Sequence, residues 1–318
     1  MSEKKSAVMM CRACGREGAF RVFAAREMLF GWRHPVEYGE CPECESLQLV
    51  KIPGNLGDYY PADYYSLLPP PVRAKTVRGL RRAWASWLLT SPWAAGCVWR
   101  QRRKYPFFHW CRQARCGLDA KILDLGCGSG GLLRRMQRYG FRDLTGVDPY
   151  TSIEADEPGF RVRRAELKEA GEGYDLIMLH HVLEHLMDPR QALVEARGKL
   201  GPRGKILVRI PVAASYTCRL YKENWFNLDP PRHLLVPSVR GMETLAGRSG
   251  LRVARTEFDG IETGFLISEL YQRGIPYTGR PPAKPAEVRR FRKLAEEANE
   301  RGEGDQGVFF LEVAAQAQ

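Results

Sequence analysis

No aspartate or glutamate occurs between Asp63 and Asp119, an interval that holds eleven lysines and arginines. The whole chain carries a formal net charge of +12, so nearly all of the excess has this one address and the remainder is close to neutral. A concentrated cationic segment points to something anionic: a nucleic acid, a phosphorylated compound or a membrane face. No apolar run precedes Cys11 in "MSEKKSAVMM", which argues against a secretory signal and makes a cytoplasmic location the expectation. Nor is there a stretch fit to span a bilayer. Residues 83–99 are free of charge, but Ser86, Thr90, Ser91 and Pro92 break them, and they fall short of the ~20 apolar residues such a helix needs. No internal repeat is found, which argues against a repeat architecture. The nine cysteines are an odd number with four of them in two C-x-x-C pairs, a usage that fits a reducing compartment better than a disulfide framework.

The two pairs are "CRACG", with Cys11 and Cys14, and "CPECE", with Cys41 and Cys44, separated by a stretch able to form strands ("AFRVFAAREMLFGW"). Two such knuckles present four thiolates to one tetrahedral ion, the arrangement of a structural zinc ribbon, and residues 1–55 are read as that unit. Four ordinary buried cysteines would leave the shared spacing and the turn-forming Gly15 and Pro42 unexplained. Residues 56–117 follow as a connector or cap: a Tyr- and Pro-rich run, then a basic segment with Trp84, Trp87, Trp93, Trp99 and Trp110. Two amphipathic helices broken near Pro92 are expected there. The leading expectation is a helical cap with its tryptophans in the core; peripheral membrane contact through residues 73–115 and nucleic-acid binding are the alternatives.

From residue 118 to 318 the pattern becomes regular. "AKILDLGCGSGGLLRRMQRYGF" is an apolar run, a glycine-rich turn and a helix with Leu132, Leu133 and Met136 on one face. "DLTGVDP" is a second strand ending in Asp148, "YDLIMLHHVLEHL" a buried strand ending near His180, "PRQALVEARGKL" a helix and "GKILVRIP" a further strand. A charged helix, "PAEVRRFRKLAEEANE", precedes a last apolar strand, "GVFFLEVAA". Strands alternating with helices predict an α/β fold with a doubly wound, mostly parallel sheet.

A lone G-x-G is weak, but here Asp124 stands two residues before Gly126, Gly128 and Gly130 follow, and Asp148 ends the next strand. This combination resembles motifs I and II of the class I S-adenosylmethionine-dependent methyltransferases, in detail from about Lys121 to Val212. The resemblance implies S-adenosylmethionine as cofactor, bound by Asp124, Gly126, Cys127, Gly128, Gly130, Asp148 and Pro149. Asp148 would accept from both ribose hydroxyls, Ala165, Glu166 and Leu167 would lie over the adenine, and His180 would sit near the methionine part. Glycines let the backbone approach the cofactor closely, and the carboxyl ends of the strands are where such sheets bind ligands. A nicotinamide site fits poorly, because G-C-G-S-G-G with a preceding acid is not its fingerprint.

Residues 180–185, "HHVLEH", contain H-x-x-E-H, a pattern also used by zinc peptidases. A peptidase would need it on a long helix with a third ligand, whereas here it ends a buried strand. "HVLEHLMDP" instead resembles the same place in ubiquinone-pathway O-methyltransferases. In those enzymes and in RNA 3′-terminal ribose methyltransferases, E-x-x-E-H binds a divalent cation. The resemblance thus raises a second metal at His181, Glu184, His185 and His233, although His181 replaces the families' glutamate and weakens the match for a hard cation. The metal-free alternative, preferred on that ground, has His233 as general base with His185 beside it. "WFNLDPPRHLLVPS" resembles a stretch of bacterial zinc-ribbon-linked methyltransferases, in which Arg232 would either bind an acidic acceptor or form a structural ion pair.

The expectation is methyl transfer to a hydroxyl or carbon of a small molecule such as a sugar, envelope precursor or secondary metabolite. An RNA methyltransferase and a zinc-ribbon interaction protein with an inert cofactor domain are the alternatives. Intact Gly126, Gly128 and Asp148 argue against the last.

Overall fold

The computed structural model describes residues 5–60, 79–277 and 283–314; Arg73, Lys75, Arg78 and the proline-rich run 61–72 lie outside them. The chain begins with four antiparallel strands, β1 (Ser6–Met10), β2 (Glu17–Arg26), β3 (Pro35–Glu40) and β4 (Leu47–Leu49). Three helices follow, α1 (Gly79–Thr90), α2 (Ala95–Gln101) and α3 (Pro106–Ala114). Pro92 opens the 3-10 turn that separates α1 from α2, where a helix interior would lose a hydrogen bond to it.

The remainder alternates. β5 (Lys121–Leu125), α4 (Gly131–Gln137), β6 (Asp143–Val147), β7 (Ala155–Glu157), β8 (Phe160–Arg163) and β9 (Tyr174–His180) are succeeded by α5 (Pro189–Gly198) and β10 (Leu200–Pro211). Next come α6 (Tyr216–Tyr221), β11 (Leu235–Val236), α7 (Val239–Arg248), β12 (Leu251–Phe258), α8 (Glu262–Gln272), α9 (Pro285–Glu300) and β13 (Gln306–Val313). Helix starts carry their chemical signals: Asp188 accepts from the Gln191 amide at 2.9 Å with Pro189 in the first turn of α5, and Ser238 accepts from Gly241 at the head of α7.

The main sheet runs β12-β13-β10-β9-β5-β6-β8-β7. β10, β9, β5, β6 and β8 are parallel, and β13 lies antiparallel between β10 and β12. Alternate residues feed two cores, as a covered sheet requires. Leu176 and Met178 of β9 join α1, α3 and α4 through Phe107, Phe108, Trp110, Leu133 and Met136. Ile177 and Leu179 join α5 and α7 through Leu193, Met242 and Leu245. The expected fold class is therefore the observed one.

Two features were not foreseen. The ribbon's sheet acquires a fifth strand from far along the chain, because β11 pairs antiparallel with β4 (Leu235 opposite Gln48, Val236 opposite Leu47). A shared core closes the seam: Tyr38, Leu47 and Leu49 from the ribbon with Trp225, Leu228, Leu234 and Phe265, where each large apolar side chain contributes roughly 1.5–3 kcal/mol. The tryptophans of the cap also divide. Trp110 is buried and Trp84 packs against Tyr105, Phe108 and Tyr139, but Trp87, Trp93 and Trp99 face outward. A cap with all its tryptophans in the core is thus not what forms; only the positions facing α3 and α4 are used for packing.

Candidate functional site

The four ribbon cysteines converge. Cys11 Sγ lies 3.6 Å from Cys44 Sγ and Cys14 Sγ lies 3.8 Å from Cys41 Sγ, all four residues buried. The knuckles repeat one geometry: the Gly15 amide donates to Cys11 O and the Glu45 amide to Cys41 O, with both residues at positive φ (74° and 59°). The ligand types, their spacing and their convergence on one point fit a tetrahedral structural zinc.

At the carboxyl end of β5 the chain turns through Gly126, Gly128 and Gly130, each at positive φ. At two of these, side chains are barred as well as disfavoured: a Cβ on Gly126 would meet Val182 Cγ2 at 2.5 Å, and one on Gly130 would meet Val162 Cγ2 at 2.6 Å. The turn is tied to the end of β6, where Asp148 Oδ2 accepts from the Gly128 amide at 3.0 Å and Oδ1 accepts from the Tyr150 amide at 2.8 Å. Each carboxylate oxygen retains a second lone pair. Cys127 fits because Gly146 faces it, where a Cβ would come within 2.6 Å of its Sγ. Asp124 is buried in β5, and burial, reinforced by Asp148, pushes its carboxyl up to about 8.

Of the other residues expected near the cofactor, Pro149 accepts from Arg164 Nε through its carbonyl. Glu166 is exposed and caps the short 3-10 turn over Leu167–Glu169, with Leu167 buried beneath. His180 ends β9 and packs at a tilt against Trp110 of α3, with ring centroids 4.5 Å apart. Burial, then Arg209 and His181, hold it well below the usual histidine range, so it is a neutral wall.

Immediately beyond His180 the backbone breaks. His181 takes a φ of 54°, and Leu183–His185 form a 3-10 turn that drives Glu184 into the interior with no exposed surface. The Leu234 amide donates to Glu184 O at 2.7 Å, which lays the His233 segment alongside. His233 Nδ1 is 2.8 Å from Asn227 O and His185 Nδ1 is 2.9 Å from Arg232 O. These contacts make both Nδ1 atoms donors and leave both Nε2 atoms free. The rings lie 4.8 Å apart, and His233 Nε2 is 4.0 Å from Glu184 Oε1.

Among the described residues Glu184 accepts no well-aligned hydrogen bond, and its one neighbouring donor is His181 Nδ1, 3.3 Å from Oε1. Burial would raise this acid, but His181, His185 and His233 pull it down to about 2. The donor atoms of Glu184, His185 and His233 all lie within 4.8 Å of one another, so these three could hold an ion. His181 does not belong to that set. Its Nε2 accepts from Arg209 Nη1 at 2.6 Å, its Nδ1 stands 3.3 Å from Glu184 Oε1, and Asp259 Oδ2 anchors Arg209 Nε at 2.7 Å.

Arg232 has no exposed surface. Its guanidinium pairs with Asp229 at 2.6 Å and with Glu27 of the ribbon at 2.9 Å, so of its two expected roles the structural ion pair is the one formed. Tyr38 donates to His233 O at 2.6 Å, and Tyr60 Oη lies 3.1 Å from His185 Nδ1. Arg209, Asp259, Tyr38, Tyr60 and Glu27 escaped the sequence reading. Only Arg209 carried a visible signal, a charge inside the apolar run "KILVRIP".

A doubly wound sheet with this strand order, a glycine turn after its first parallel strand and an acid closing the second give the fold and turn expected of a class I methyltransferase domain. Residues 98–256, half of the chain, match the family described as "Methyltransferase domain", and the chain belongs to that family. The ubiquinone biosynthesis O-methyltransferase of Azorhizobium caulinodans is 35% identical over 113 residues, covering 32% of this chain and 44% of that protein. The enzymes of the same description from Cereibacter sphaeroides (36% over 95 residues; 26% and 38%) and Parvibaculum lavamentivorans (34% over 119 residues; 34% and 47%) are similar to it too. The chain thus spans less than half the length of these relatives. Among solved structures, a SAM dependent methyltransferase from Archaeoglobus fulgidus is 19% identical, covering 68% of this chain and 91% of that one with a TM-score of 0.40. The cyclopropane synthase MmaA2 from Mycobacterium tuberculosis is 16% identical (61% and 78%; TM-score 0.37). Likenesses this distant add nothing to what the strand order and the glycine turn already say.

Proposed function

We propose that the protein methylates a hydroxyl group of a small molecule at the Glu184–His185–His233 cluster. The observation that carries this reading is Glu184: a fully buried carboxylate that accepts no well-aligned hydrogen bond, with two free imidazole nitrogens near it. The Gly126 turn packs against Val182, two residues before it. When bound, S-adenosylmethionine supplies an already activated methyl group. What remains for the chain is to hold the acceptor in line, exclude water and take a proton from the hydroxyl. His233 Nε2 is free to accept that proton, and Glu184 at 4.0 Å would stabilise the resulting imidazolium. Asn227 O fixes the ring in the tautomer the task needs.

A second reading is favoured by the same buried carboxylate and its convergence with His185 and His233. Glu184, His185 and His233 would hold a divalent cation, which when bound supplies Lewis acidity toward the acceptor hydroxyl. His181, the residue that departs from the E-x-x-E-H families' glutamate, is not among the converging donors. The ribbon cysteines would hold zinc, and a cytoplasmic location belongs to the proposal, supported by nine unpaired thiols.

The test begins with a screen of hydroxylated small molecules against methyl-labelled S-adenosylmethionine. With an acceptor in hand, His233→Ala should lower turnover by about 10²–10³-fold and leave cofactor affinity within twofold. Loss of turnover on mild chelation that spares the ribbon zinc selects the cation reading, and full retention selects His233 alone. Turnover unchanged in both His233→Ala and Glu184→Gln contradicts both readings. An RNA acceptor would instead announce itself by RNA binding that weakens steeply with salt.

A further inference from the structure

We propose that α1, the Pro92 corner and α2 dock peripherally on an anionic lipid bilayer. Helix α1 is apolar on two sides. Ala85, Leu88 and Leu89 are buried against the catalytic domain. On the opposite side Leu80 is 86% exposed and Trp87 44%, with exposed Ala83 between them at helical spacing. A surface helix ordinarily places charge on that side. At the corner Trp93 is 90% exposed, and on α2 Trp99 is 51% exposed with the Arg102 guanidinium 3.7 Å above its ring. From Ala83 through Trp99 the tip carries no charge at all.

Of the cations flanking this tip, some are paired and others are not. Arg82 is spent on Asp119, Arg103 on Glu262 and Glu296, and Arg112 on the Leu88 carbonyl. Arg81, Arg100 and Lys104 are exposed and make no ion pair among the described residues. A protruding, uncharged, tryptophan-bearing tip with free cations at its edges complements an anionic bilayer: indoles settle at the headgroup level and the cations meet lipid charge. A second copy of the chain would bring like charges together at the rim. Nucleic acid would be served by a cationic groove with interleaved aromatics, whereas here the most exposed ring, Trp93, and Trp87 stand on the charge-free stretch and only Trp99 carries a cation over its face.

The test is co-sedimentation of the full chain with vesicles of phosphatidylcholine alone and of phosphatidylcholine mixed with phosphatidylglycerol. Binding is expected to the mixed vesicles only, weakening as salt rises. The pair Trp87→Ser and Trp93→Ser should lower the partition coefficient by about tenfold or more, and Arg81→Glu with Arg100→Glu should do the same. Affinity for S-adenosylhomocysteine, unchanged in both pairs, shows that they are folded. The proposal is overturned by absence of binding to mixed vesicles, or by binding indifferent to the tryptophan pair. It is equally overturned by a dimer that the same substitutions dissociate, or by RNA binding that they abolish while vesicles are ignored.

Discussion

The Gly126–Gly130 turn, proposed to hold the cofactor, and the Glu184–His185–His233 cluster, proposed to meet the acceptor, sit at the same end of one sheet, yet they are assembled in opposite ways. The turn is local: its tie to Asp148 spans twenty residues, and the strand, glycines and helix that form it are consecutive. The cluster is gathered from a distance. His185 meets Arg232 across 47 positions, Tyr60 meets His185 across 125, Tyr38 meets His233 across 195 and Glu27 meets Arg232 across 205. The first half should therefore stand by itself, while the second depends on the four-cysteine ribbon that supplies Glu27 and Tyr38 and pairs with β11.

The largest effect expected is on the ribbon side. Glu27, itself fully buried, accepts from the Phe30 and Trp32 amides at 2.8 and 2.9 Å as well as from the buried Arg232. Glu27→Ala leaves a buried cation half-paired and two amides without acceptors, and should cost about 3–5 kcal/mol of stability. Chemical denaturation would read this, together with retained S-adenosylhomocysteine binding at low denaturant; a loss within about 0.5 kcal/mol would show that the seam is not held this way.

Next in size is the cofactor half. Asp148→Ala removes the carboxylate expected to receive two ribose hydroxyls, each hydrogen bond to a charged group being worth roughly 1.5–3 kcal/mol. Titration calorimetry should show affinity for S-adenosylhomocysteine falling by about 100-fold or more, with the ribbon still zinc-loaded. Equal affinity in mutant and wild type would remove Asp148 from the cofactor site.

How much of this was legible follows the same division. The motif Asp124 to Gly130, the strand ending at Asp148 and the charged helix 285–300 were readable because their signals lie within a few residues of one another. The cysteine knuckles were readable for the same reason. The two-residue β11 has no periodicity to detect, and nothing about Arg232 in the sequence announces that Glu27 lies against it. His181 was weighed as a metal ligand because E-x-x-E-H comparisons align it with one; its engagement with Arg209 depends on the parallel pairing of β9 with β10, which the hexapeptide does not encode.

A smaller effect sharpens the contrast from within the cofactor half. Asp124 is held at about 8 by burial, far above the unfolded value of ~3.9. A raised carboxyl favours the folded state when protonated, so its contribution is full below the unfolded value and is lost as pH rises toward 8. Cofactor-free Asp124→Asn should thus melt higher than wild type at pH 8, by about 1 kcal/mol or more, with the gap closing as pH falls toward 4. A gap independent of pH would mean that Asp124 is not the buried acid described.

Hydrogen exchange on Cys41→Ser, compared with wild type with and without S-adenosylhomocysteine, reads whether the ribbon builds the proposed acceptor half and leaves the proposed cofactor half alone. Loss of one of four ligands should release the ion and loosen β4. Amides of residues 227–236 and 183–186 are then expected to exchange faster, while β5, β6 and the 126–131 turn keep their protection and still gain more when S-adenosylhomocysteine binds. Unchanged protection at 227–236, or loss of cofactor binding together with the ribbon, would contradict the account.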